Sequence, residues 1–249
     1  MDNLRGSWLD HLALVDGQEA EASGRLVRVQ QKRLGLVWWH EELWWEDDVL
    51  PASAPVVLLL LTDSSQNEEL SERIGRRVMV TGLWVDHELH VNTVSDVASV
   101  PSIELSPLKS AALSSRMMDE AKRAIETPLF DAGIMLWRFH RVASNGEEEL
   151  VVSATNTSLA REVLLPLYGD SLRVYQSPWT ADDLARLDAA IEAINPAHRY
   201  ITGAGMSADG VVYRRLALTH LGYELAAILS KFPREMLKLE VQVHAINRS

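Results

Sequence analysis

Hydrophobic and polar positions change their period several times along this chain. Trp8, Leu12 and Val15 recur at helical spacing before Gly17, which predicts a short amphipathic helix over residues 4–15. The period then shortens. Residues 24–31 alternate, with Val27 and Val29 on one face, and residues 34–39 and 56–61 read as second and third extended runs. Residues 66–74 form a short helical pattern, with Leu70 and Ile74 on one side and Gly75 to end it. Residues 77–84 are a fourth strand, Asp86-His87 a tight turn, and residues 88–94 a fifth strand.

Periodicity fades over residues 99–115, which are rich in Ser and Pro and read as a linker. Residues 115–126 recover a helical pattern that Thr127-Pro128 should stop. Two extended runs follow, residues 133–142 and 150–154, with Ser144-Asn145-Gly146 as the turn signal between them. A helix carrying Leu159, Val163, Leu164 and Leu167 leads to a strand at residues 172–175. The next helix has a clear start. Thr180 and Asp183 stand at capping-box spacing, Leu184, Leu187, Ile191 and Ile194 form the stripe, and Asn195-Pro196 closes it. Residues 200–202 are extended, residues 203–210 form a Gly-rich loop, and a last strand, helix and strand complete the chain.

This second half repeats itself. Residues 151–175 and 211–243 both run strand, threonine turn, helix, breaker, strand. Thr157-x-Leu159-x-x-Glu162-Val163 matches Thr219-x-Leu221-x-x-Glu224-Leu225. The element order β-β-α-β-α-β-β-α-β implies one largely antiparallel sheet with helices on one face. The expected fold class is therefore α+β: a small OB-like β-barrel followed by a ferredoxin-like domain with an internal βαβ repeat. The expected domains are residues 1–98 (acidic barrel with its N-terminal helix), a linker at 99–115, and 116–249.

Two resemblances accompany this reading. Gly24-x-Leu26-Val27-x-Val29, with Ile74-Gly75-x-x-Val78-x-Val80-Thr81-Gly82-x-Trp84 and Leu89-x-Val91, resembles the strand and turn pattern of OB-fold barrels over residues 20–98. That resemblance implies a five-stranded barrel and single-stranded nucleic acid as a ligand class. Leu167-Tyr168-Gly169-Asp170-Ser171-Leu172-Arg173-Val174 and the paired units resemble the small α/β modules of bacterial protease pro-domains over residues 147–245. This one implies a fold and a habit of binding along a strand edge, and no catalytic residue.

Charge changes the functional picture. The 249 residues carry a net charge of −11, with 8 Lys and Arg against 17 Asp and Glu through residue 100, and 16 against 18 thereafter. An acidic first half repels phosphate backbones and attracts basic partners. Its most distinctive stretch sets Trp38, Trp39, Trp44 and Trp45 beside Glu41, Glu42, Glu46, Asp47 and Asp48. Adjacent strand residues face opposite ways, so at least one ring of each Trp pair is a candidate for exposure, where Trp supplies large contact area. These nine residues are the expected partner-binding set, and the partner they select is a protein with a basic surface. The alternative reading is that the same rings cover the barrel mouth or the contact between the two halves.

Several chemistries drop out. There is no cysteine, which removes disulfides, thiol catalysis and cysteine-ligated metals. The longest apolar run, residues 54–61, suits a buried strand and is too short to span a bilayer. The N-terminus lacks a signal-peptide pattern, so a cytoplasmic location is expected. His40-Glu41 lacks the second His of the zinc helix motif, since position 44 is Trp, and His87 and His90 diverge across a turn. Gly203-Ala204-Gly205 precedes a strand, not the helix a dinucleotide fingerprint needs. His140 and His220 read as ordinary edge or helix histidines. No catalytic residue, metal or cofactor is assigned. The expected function is a non-enzymatic protein-binding module, such as an adaptor, inhibitor, immunity or regulatory protein. The alternatives are single-strand nucleic-acid binding by the barrel and a hydrolase with an interdomain site.

Overall fold

A computed structural model of the chain describes residues 7–29, 33–38, 54–61, 64–97, 120–142, 148–207 and 209–246. The fold is mixed α+β. Twelve strands and five helices are found among the described residues. No helix among them is long and apolar enough to cross a membrane. The chain groups into two compact units. The first takes Met1–Pro101, Ala190–Thr202 and Arg215–Ser249, and the second takes Ser102–Ala189 and Gly203–Arg214.

The first unit is built on a six-stranded sheet. Its strands are β1 (Gln18–Arg28), β2 (Leu34–Val37), β3 (Val57–Leu60), β4 (Arg77–Val85), β5 (Glu88–Asp96) and β12 (Val243–Ala245), with helix α1 (Ser64–Ser71) leading into β4. The order is β12-β1-β2-β3-β5-β4, and β1 also pairs with β4, so five strands close into a ring. Every neighbour is antiparallel except β3 and β5, which run parallel. β1 holds β4 along residues 18–25 on one edge, and on the other it holds β12 at residues 20–22 and β2 at residues 25–28. The C-terminal strand thus covers the stretch of β1 that β2 does not reach, which removes an open strand edge.

Two glycines make the closure possible. A Cβ on Gly82 would sit 1.9 Å from the His90 carbonyl oxygen, and one on Gly24 would sit 2.4 Å from that of Val37. Only a residue without a side chain permits those approaches. The inner face of β1 is Ala20, Ala22, Gly24 and Leu26, all buried, whereas Val27 and Val29 are only partly so. The valine face expected from alternation is the outer one. Small residues line the interior because the neighbouring strands pass close. Inside lie Leu26, Leu36, Leu59, Leu70, Val80, Trp84, Leu89 and Val243.

The N-terminal helix does not form over residues 7–15. Turn hydrogen bonds link Asp10 N to Ser7 O (3.1 Å) and Leu12 N to Leu9 O (3.0 Å). Leu14 then bridges in parallel to Gly222. Tertiary pairing overrides a weak helical pattern here.

The second unit carries α2 (Glu120–Asp131), β6 (Met135–Val142), β7 (Glu148–Ala154), α3 (Thr157–Tyr168) and β8 (Leu172–Gln176). β7 is central, antiparallel to β6 and parallel to β8. Leu150, Val152 and Ala154 meet Leu129, Ala160 and Leu164 on one face. Helix α2 runs through Pro128 to Asp131, past its expected stop. Leu129, on the added turn, is 5% exposed in that core, and its burial offsets the hydrogen bond that proline cannot make. Asn156 caps α3 through Leu159 N at 3.0 Å.

Helix α4 (Ala181–Glu192), β9 (Arg199–Met206), β10 (Val212–Leu218), α5 (Tyr223–Leu229) and β11 (Leu237–Val241) complete the set. The Thr180–Asp183 capping box is present, with Asp183 N donating to Thr180 Oγ1 at 3.1 Å and Thr180 N to Asp183 Oδ2 at 2.9 Å. Order and element type of the second half match the pattern reading, but the sheets do not. The strands lie in two three-stranded sheets, β6-β7-β8 and β11-β10-β9, where one was expected. Gly203 and Gly205 lie in β9 and not in a loop. The two aligned threonines also differ in place. Thr157 opens α3, whereas Thr219 precedes α5, whose N-cap is Gly222.

Candidate ligand cleft

Four segments of the first unit bring three histidines together. The first is the β4–β5 turn. Asp86 and His87 both hold positive φ, 51° and 64°, so the two-residue hairpin has the left-handed turn that matches strand twist. Non-glycine residues pay for that conformation, and Asp and His are among the few that adopt it with some frequency. Asp16, in the turn before β1, accepts a hydrogen bond from Asp86 N at 3.3 Å. The strained turn aims an exposed His87 at the second segment, Thr219-His220, which follows β10.

His220 lies underneath, 8% exposed. Its Nε2 is 3.2 Å from His87 Nδ1, and its Nδ1 is 3.0 Å from Thr219 Oγ1. The backbone fixes it from both sides: Thr219 N donates to His198 O at 2.9 Å, and Val243 N donates to Thr219 O at 2.9 Å. The Trp84 ring packs on the imidazole at a centroid distance of 4.9 Å. The third segment is a single 3-10 turn at residues 196–198. Asn195 caps it through Ala197 N at 3.0 Å, and Pro196 presets its first position. His198 leaves this turn with its ring 4.9 Å from His220 and 5.9 Å from His87. The fourth is the start of α5, with Gly222, Tyr223, Glu224 and Ile228.

These segments enclose an open cleft of about 880 Å³. Leu14, Val15, Trp84, Ile194, Leu225 and Ile228 supply its apolar surface, and Val15 and Ile228 are 48% and 45% exposed. Asp16 and Glu224 are its charged side chains, and none of its described lining residues is Lys or Arg. A smaller cavity of about 270 Å³ shares the histidines, with Val29, Val56, Asp86 and Glu88 also in its wall. Trp84, His87, His198 and His220 border both. Glu88 is paired with Arg33 at 2.5 Å.

Burial disfavours the charged imidazole here. It pulls His220 down to about 3, with His198 and His87 adding like-charge repulsion. Burial also lowers His198, helped by His87. His220 and His198 are therefore neutral at ordinary pH and offer acceptor nitrogens. No group of three His, Asp or Glu side chains among the described residues is arranged to hold a metal ion.

Of the nine residues expected to bind a partner, Trp38 alone is described. It is 9% exposed and meets Tyr200 edge-on at 5.6 Å. Trp39, Glu41, Glu42, Trp44, Trp45, Glu46, Asp47 and Asp48 lie outside the described residues. Ser207 hydrogen-bonds to Asp209 and His220 to His87 and Thr219, so no Ser-Asp-His triad joins them. His220 is a buried member of a cluster, not an edge histidine. Local spacing gives no sign of this, because 111 and 22 positions separate the three rings in sequence (87 to 198 to 220). No protein-family model and no curated protein matches the chain.

Proposed function

We propose that this protein is a non-enzymatic binding module, that its partner is another protein, and that the cleft of the first unit is the partner's seat. The observation carrying this reading is the make-up of the cleft. It is a concave apolar surface with a few convergent polar groups, the usual composition of a binding site. Its rim charges are Asp16 and Glu224, and the chain as a whole is strongly acidic. A segment with apolar side chains and a basic group fits both features. Glu41, Glu42, Glu46, Asp47 and Asp48 carry the same sign and add steering toward such a partner.

The test is selection of random peptides on the intact protein. Binders enriched in Leu, Ile or Val together with Lys or Arg, and lost from the Val15→Asp and Ile228→Asp variants, support the reading. Binders indifferent to both substitutions refute the cleft as the seat.

A second reading has one observation in its favour. The ring order β1-β2-β3-β5-β4 with a helix before β4 supports an OB-type plan, and OB barrels bind single strands across strands 2–3 and the 1–2 and 4–5 loops. The 4–5 loop here is Asp86-His87, flanked by Asp16 and Glu88. Phosphate neutralisation dominates affinity for nucleic acid, and acids at that loop oppose it. Oligonucleotide titration at low salt separates the readings, since tryptophan quenching that salt abolishes would favour the barrel as a nucleic-acid binder.

A further inference from the structure

Resting on the cleft as the partner's seat, we propose that His87, His198 and His220 receive a cationic side chain of that partner, a lysine ammonium or an arginine guanidinium, and release it when His198 takes up a proton.

The three rings form a polar waist between largely apolar walls, because they border both the larger cleft and the smaller cavity. Hydrogen bonding sets what the waist offers. When Thr219 Oγ1 accepts from His220 Nδ1, His220 Nε2 accepts from His87 Nδ1, and this leaves His87 Nε2 as an acceptor on an exposed ring. His198 Nδ1 and Nε2 have no hydrogen-bond partner among the described residues. Neutral imidazole nitrogens of this kind take N–H donors from an ammonium or guanidinium, and the Trp84 and His220 rings, tilted by 47° at 4.9 Å, add aromatic surface for a cation.

The charges around the waist point the same way. The turn before β1 contributes Asp16, the β4–β5 turn Asp86, β5 Glu88 and α5 Glu224. Arg33 already neutralises Glu88, which leaves Asp16, Asp86 and Glu224 to face an incoming cation. Burial keeps His220 and His198 unprotonated, so neither ring competes with the ligand's charge at neutral pH. A proton on His198 reverses both attractions. It turns an acceptor nitrogen into a donor, and it places a positive charge beside the ligand's own. Binding and protonation are then mutually exclusive, and linkage makes the affinity fall as pH falls.

The experiment uses the full chain and two fluorescein-labelled leucine-rich peptides, identical except that one carries arginine where the other carries citrulline, its neutral isostere. The expected result is tighter binding of the arginine peptide at about pH 7.5, weakened roughly tenfold at about pH 5, with little pH effect on the citrulline peptide. The double variant His87→Asn with His198→Asn should lose the pH effect, and Asn tolerates the positive φ of position 87. The variant Asp16→Asn with Glu224→Gln should bind more weakly yet keep it. Equal binding of both peptides, or an arginine affinity that does not change with pH, overturns the histidine role and leaves the cleft reading standing. Binding of neither peptide at any pH overturns both.

Discussion

His87 Nδ1 lies 3.2 Å from His220 Nε2, across 133 residues of sequence. A turn with two left-handed residues carries the first ring, and the end of β10 carries the second. The contact joins the N-terminal ring of strands to the C-terminal segment of the same unit, and it defines the wall shared by two cavities.

Acid should destabilise the fold through His220. Its folded value is about 3 against 6.5 for the free side chain. Below about pH 6.5 the unfolded chain binds a proton that the folded chain refuses. The stabilisation is complete above that pH and is lost as pH falls toward 3, at up to roughly 1.4 kcal/mol per pH unit. His198 and His244, also lowered mainly by burial, act in the same direction. Urea unfolding at about pH 7.5, 6 and 5 measures this. His220→Gln should flatten the profile, and equal stability across that range in the wild type would contradict it.

The turn trades stability for its ring. Asp86→Asn with His87→Gly places the favoured Asn-Gly pair at the same left-handed positions. This double variant should gain about 1 kcal/mol in denaturant unfolding and lose affinity for basic peptides. A loss of stability would show that the His87–His220 contact outweighs the backbone strain.

Glu126 should be a stability residue of the second unit. It is 2% exposed, accepts from Tyr168 Oη at 2.5 Å, and pairs with Arg138 at 3.0 Å. Glu126→Ala removes the carboxylate that a partly buried guanidinium and the Tyr168 phenol share and should cost about 3 kcal/mol. Glu126→Gln, which keeps an acceptor, should cost less. Chemical denaturation of both variants orders them.

Val243 tests the role of the last strand. It is fully buried in the barrel core, and β12 covers part of the edge of β1. Val243→Ala should destabilise by about 2 kcal/mol. A change under roughly 0.5 kcal/mol, the usual scale of a surface substitution, would place this strand outside the barrel's cooperative unit.

Local patterns made most elements legible. The Thr180–Asp183 box, Asn195-Pro196 and the alternation of residues 77–94 each act within a few residues, and each appears in the fold near its expected place. Pairing was not legible, because it joins distant segments. Nothing in Val243-His244-Ala245 specifies β1 as its neighbour, and nothing in residues 135–241 specifies two sheets over one. The inner face of β1 was not legible for a related reason. Hydrophobicity alone selects Val27 and Val29, whereas the close strand approach at Gly24 selects small residues. The histidine cluster was illegible for the same cause as β12, since three segments far apart in sequence converge on it.

Histidine side-chain NMR during titration with the arginine peptide at about pH 7.5 tests the cleft most directly. Shifts concentrated on the rings of His87, His198 and His220, together with the Trp84 indole and the Ile228 methyls, are the predicted result. Saturable binding that leaves these five residues unmoved would contradict the assignment of the partner's seat.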